Sequence, residues 1–250
     1  MNLDWTTLAV ALALLLAAFV KGTTGFGFPI IATPTVALLL DIRTAVTILI
    51  LPNLVMDIAQ MFRGGFPHAV LRRFGWMLAL TIIGVFLGTK VLVMLPLWVL
   101  NLCLGVMVLL FVLSGLLRIE FTISPQAESF LSPAVGLLSG FLNGMTNAAG
   151  PSLAIYLYSL KLTKLDFIKS IATVFVLTKA SQLVAVSTWN LFGWTTLLLS
   201  LEVTLFILLG FYAGLKTQDR VNQRTFNRGV LIFLFIIGVT LVLRALAQGS

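Results

Sequence analysis

Asp57, Lys90, Lys179 and Glu202 stand inside stretches of the chain that are otherwise apolar. Placing such a group at membrane depth costs roughly 2.5–3.5 kcal/mol on insertion scales, so its presence marks an ion path, a ligand site or an internal pair. Asp57 precedes Gln60 by three residues, Lys179 precedes Gln182 by three, and the two pairs lie 122 residues apart. A carboxylate and an amine at matching positions suit a buried ion pair, or a proton carrier and a counter-charge for an anion, and the residues leave both open. Glu202 fits a group that titrates with a transported proton, or a partner for a buried lysine. Lys90, near the end of its span, reads as a lysine reaching for the interface.

Polar residues also break the apolar sequence twice. FVKGTTGFGFP (Phe19 to Pro29) carries Lys21, Thr23, Thr24 and Gly25, and FLNGMTNAAGP (Phe141 to Pro151) carries Asn143, Thr146 and Asn147. The apolar stretch after each proline is about half the ~20 residues that a spanning helix needs. Non-helical backbone at that depth persists only where protein or a water-filled cavity satisfies it, and paired breaks mark binding sites in transporters. Pro29 and Pro151 suit a first helical turn, and the amides before them would present a positive dipole end to an anion. The expected roles follow. Lys21 and Lys179 supply charge, Thr23, Thr24, Thr146, Asn143 and Asn147 donate hydrogen bonds, Gly25 admits close approach, Gln182 adjoins Lys179, and Asp57 or Glu202 couples protons. Gly136, Gly140 and Gly144, at four-residue spacing, equally suit close helix packing.

The elements that position these residues are legible from composition. Of 250 residues 60% are hydrophobic and 10% charged, and the mean hydropathy is +1.11; a soluble domain of that composition would expose large apolar patches. The expected fold is an all-α integral membrane protein. The N-terminal stretch carries Asp4 and no small-residue cleavage site, so it is expected to remain as the first helix. Cys103 and His68 are each single, which leaves no disulfide framework, metal cluster or cofactor site to expect. The formal charge of +8 reads as orientation by basic loops rather than nucleic-acid binding.

A shift of 122 lays Phe19 on Phe141, Gly22 on Gly144, Thr24 on Thr146, Pro29 on Pro151 and Gln60 on Gln182; a shift of 126 lays Gly84 on Gly210, Gly88 on Gly214 and Lys90 on Lys216. Residues 1–122 and 123–250 therefore read as two copies of one membrane module. Each holds five apolar elements: 4–20, 29–40, 44–62, 73–94 and 98–117, then 128–143, 151–160, 166–187, 194–215 and 229–246. Five is odd, so a tandem copy enters the membrane in the opposite sense, giving two inverted-topology repeats with 8 to 10 transmembrane helices and two broken or re-entrant segments. Basic loops agree. Arg63, Arg72 and Arg73 follow the third element of the first half, and Lys216, Arg220, Arg224 and Arg228 follow the fourth of the second. Alternation then places Lys21, Arg118, Lys161, Lys164 and Lys169 on the same inner side and both termini outside.

With the duplicated KGTTGFGFP and NGMTNAAGP segments, Pro52–Asn53 and the glycine-paired fourth elements, the chain resembles the TauE/SafE family of bacterial sulfite and organosulfonate exporters. Thr23 and Thr24 stand where that family is commonly richer in glycine. The resemblance implies a multi-pass inner-membrane permease for sulfite, sulfonates or related sulfur-containing anions, proton-coupled, in contact with lipid and compatible with homo-oligomers. A membrane-embedded enzyme and a non-catalytic scaffold are the rival readings. The first lacks a recognisable catalytic set, and the second gives the paired breaks no purpose.

Overall fold

The computed structural model describes residues 5–117, 123–148, 150–217 and 223–249. Arg118 and Arg220 lie outside the described residues, as do the side chains of Arg224 and Arg228. Every described element is a helix. In chain order they are α1 (Trp5–Thr24), α2 (Phe28–Leu39), α3 (Ile42–Ile48), α4 (Ile50–Met61), α5 (His68–Arg73), α6 (Gly75–Met94), α7 (Leu97–Leu117), α8 (Pro125–Thr146), α9 (Gly150–Ser159), α10 (Lys164–Thr188), α11 (Trp194–Thr217) and α12 (Gln223–Gly249). Among the described residues six stretches are long and apolar enough to cross a membrane: Ile42–Met61, Gly75–Met94, Leu97–Leu117, Lys164–Thr188, Trp194–Thr217 and Gly229–Gly249. The protein is a multi-pass membrane protein.

The two short helices fall where the prolines announce them. Gly27 flanks α2 in the left-handed region with φ 103°, and Pro29 occupies its first turn, where a missing amide costs nothing. α8 stops at Asn147, also left-handed with φ 60°, before the ten-residue α9. The Ile123 amide, just before α8, donates to the Ser159 carbonyl at the end of α9 (3.2 Å), so the end of α9 lies beside the start of α8 and the two form a hairpin.

The third apolar element is bent into α3 and α4. Pro52 cannot donate to the Ile48 carbonyl four residues earlier, and Ser200 Oγ of α11 donates to that oxygen instead, at 2.6 Å. Asp41 caps α3 by accepting from the Thr44 amide at 3.0 Å, and Thr163 caps α10 by accepting from the Asp166 amide at 3.2 Å. These caps are 122 residues apart, with the acid and the threonine exchanged.

Glycine decides which helices touch. A Cβ on Gly136, Gly140 or Gly144 of α8 would run into the carbonyls of Met77, Thr81 and Val85 of α6, so α8 runs parallel to α6 with backbones in contact. In α11, Gly210 abuts Leu15 and Gly214 abuts Phe19 of α1; in α6, Gly84 abuts Leu137 and Gly88 abuts Phe141 of α8. Each of these partners is its counterpart plus 122, so the fourth helix of each half packs on the first helix of the other. α7 and α12 run antiparallel, Trp98 lying against Gly249 and Gly115 against Leu231. The end of α4 meets the beginning of α10, where Lys169 Nζ donates to the Gly64 carbonyl at 3.3 Å.

Candidate functional site

The two helix breaks bring two polar clusters into the middle of this packing. α1 carries Lys21 and α4 carries Asn53, Asp57 and Gln60 on one face, at spacings of four and three. Lys21 Nζ lies 2.6 Å from Asp57 Oδ1 and donates to Asn53 Oδ1 at 2.7 Å. Gln60 Nε2 donates to the Lys21 carbonyl at 3.0 Å, holding the end of α1 against α4. Lys21, Asn53 and Asp57 are 0% exposed.

The second cluster has the same plan on α8 and α10. Lys179 Nζ donates to Asn143 Oδ1 and Gln182 Oε1, both at 2.7 Å, and to Asn147 Oδ1. Gln182 Nε2 donates to the Asn143 carbonyl at 3.2 Å, the contact that Gln60 makes to Lys21. Asn143 stands 122 residues after Lys21, and Lys179 as far after Asp57. The amine therefore sits on the hairpin helix in the first cluster and on the longer helix in the second. Asn147 Nδ2 crosses to the first cluster's side, donating to Thr33 Oγ1 at 3.3 Å and the Val46 carbonyl at 3.4 Å. Phe175 of α10 joins the clusters, its ring centroid 5.7 Å from Lys21 Nζ.

This arrangement redistributes several expected roles. Lys21 is not in an inner loop; it is buried within α1. Asp57 pairs directly with Lys21, because α4 presents it to α1, while Lys179 is held by amide oxygens. Thr23 and Thr24 both donate to the Val20 carbonyl, at 2.8 and 2.9 Å, and Thr146 donates to the Leu142 carbonyl at 3.0 Å. Their protons serve the frayed helix ends. The Thr24 hydroxyl also accepts from the Phe26 amide, so it fixes the bend itself. Gly25 takes φ 89°, and a Cβ there would press on Ile168. Glu202 is exposed on α11, and Lys90 is likewise exposed near the end of α6.

Sequence reasoning passed over Asn53 and Phe175 as site residues and used Gln60 only as a repeat marker. The spacing of Asn53, Asp57 and Gln60 along one helical face was the available signal. Among the described residues no three His, Cys, Asp or Glu side chains converge to hold a metal ion.

What the arrangement can do follows from its charges. Two amines, Lys21 and Lys179, and one carboxylate, Asp57, are wholly buried, and desolvated charge demands a partner. Comparison with curated proteins and with solved structures returned no match. The family described as sulfite exporter TauE/SafE matches residues 10–241, nearly the whole length. The chain belongs to the TauE/SafE sulfite exporter family.

Proposed function

We propose that this protein is a secondary transporter that carries a small anion, sulfite, a sulfonate or a related sulfur-containing anion, across the bacterial inner membrane and couples it to protons. The observation that carries the reading is Lys179. It is wholly buried, bonded only to neutral amide oxygens, and stands beside a Lys21–Asp57 pair that already balances itself. In that position the substrate provides the missing negative charge, with Asn143, Asn147 and Gln182 holding the amine until it arrives. Asp57, inside the cluster, suits the proton-coupling role better than the exposed Glu202. Catalysis would need a nucleophile, a metal cluster or an acid pair at this depth, and the two clusters offer amides, two amines and a single carboxylate held in an ion pair.

Alternating access by two inverted halves, residues 1–122 and 123–250, is the matching mechanism. Its support is the exchange of first and fourth helices between halves, together with the antiparallel packing of α7 on α12. Rocking one half against the other would move α1–α2 past α8–α9 and open the shared site to either side. Sulfite flux into proteoliposomes containing only this protein tests the reading. Lys179→Met should abolish flux with insertion intact, and Lys179→Arg should restore part of it, because charge survives while donor geometry changes. Full flux in Lys179→Met would sink the proposal.

A further inference from the structure

The two clusters differ in how fully their polar atoms are bonded. The three donors of Lys179 meet three acceptors, and Gln182 Nε2 is satisfied by two backbone carbonyls. In the first cluster Asn53 Nδ2, Asp57 Oδ2 and Gln60 Oε1 are buried and no group of the described residues hydrogen-bonds to them. All three lie on the same face of α4, the face turned toward Lys21. Buried polar atoms without partners are costly and few, so three together within a binding region indicate a group that arrives with the ligand.

The chemistry of that group follows from the atoms. Asn53 Nδ2 requires an acceptor, whereas Gln60 Oε1 and Asp57 Oδ2 require a donor. An anionic oxygen facing a carboxylate is repelled unless a proton lies between them. Asp57 pairs with Lys21 of α1, and α10, packed on α4, carries the buried Lys179; α3 and α11, also packed on α4, bring no buried ionisable residue. Water would meet the hydrogen bonds but not balance two amines against one carboxylate.

We propose that the Asn53–Asp57–Gln60 face is a subsite for the hydroxyl of a singly protonated oxyanion, so that this transporter takes hydrogen sulfite and rejects sulfonates, whose three oxygens carry no proton and whose sulfur carries carbon as well. This rests on the anion-transport reading and narrows its substrate. The hydroxyl donates to Gln60 Oε1 or Asp57 Oδ2, and the remaining oxygens accept from Asn53 and the lysines. Lys21 Nζ keeps its hold on Asp57 Oδ1.

Calorimetric titration of the purified full-length protein in detergent, at mildly acidic pH, tests this with sulfite and methanesulfonate as probes. Sulfite should bind at least about tenfold more tightly, because methanesulfonate has no O–H to offer the buried acceptors. Gln60→Met, in protein that retains its melting temperature, should weaken sulfite and leave methanesulfonate nearly unchanged, shrinking the ratio. Equal binding of the two anions by the unaltered protein overturns the proposal, as does equal weakening of both in Gln60→Met. The comparison in the unaltered protein decides the question even where the variant fails to fold. Binding of neither anion overturns the anion-transport reading itself.

Discussion

At the residue scale, the partner of each charge matters more than its presence. Lys21 and Asp57 neutralise one another at 2.6 Å with no solvent exposure. Removing one member of such a pair leaves an uncompensated buried charge, which costs about 3–5 kcal/mol. Lys21→Met and Asp57→Asn should therefore each lower the melting temperature in detergent sharply, and Lys21→Met combined with Asp57→Leu should recover most of the loss without recovering transport. Combining Asp57→Asn with Lys179→Met should give no such rescue, because those residues are not direct partners. Rescue by that second combination, and not by the first, would show that the pairing is drawn wrongly.

At the element scale, the bends are answered by specific neighbours. Pro52 frees the Ile48 carbonyl and Ser200 of α11 takes it up at 2.6 Å, which ties the bent α3–α4 element to α11. Ser200→Ala should cost about 1–3 kcal/mol, the penalty of a buried acceptor left unmet. Adding Pro52→Ala restores an amide donor at position 52 and should return part of that stability, read as a double-mutant cycle by thermal unfolding. Strict additivity of the two changes would separate the serine from the bend. The hairpin tips obey the same logic: Gly25 and Asn147, at matching positions, both adopt positive φ, one through the absence of a side chain and the other through an amide that tolerates the conformation.

At the scale of the whole molecule, the proposed inversion of the halves has a direct consequence for sidedness. The segment around His68 and the end of α11 at Lys216 should both face the cytoplasm, although they follow different elements of their halves. With Cys103 replaced by serine, cysteines placed at His68 and at Lys216 should both be protected from a membrane-impermeant reagent added to intact cells, and both should be labelled in inside-out vesicles. Opposite labelling of the two would end the inverted arrangement. Arg73 and Glu128 should lie on that same side, since their side chains join α5 to the start of α8 through paired contacts of 2.6 and 2.8 Å.

The sequence by itself determined that the protein is helical and membrane-embedded, where its helices break, and that polar groups of matching position gather in both halves. These properties are local. Apolar length, proline and glycine placement, and the cost of a charge in lipid act on each segment whatever surrounds it. The glycines at positions 136, 140 and 144 also announced close packing, but not that α8 takes α6, since a glycine specifies proximity and not a partner. Only the tertiary structure decided which amine meets Asp57, because α1 rather than α10 supplies the nearer side chain to that face of α4. It decided the place of Glu202 as well. α11 buries Ser200, Thr204, Ile207, Phe211 and Gly214 along one face, and the packing of that face against α1, α3 and α4 turns Glu202 outward, away from the charges that composition alone had offered it.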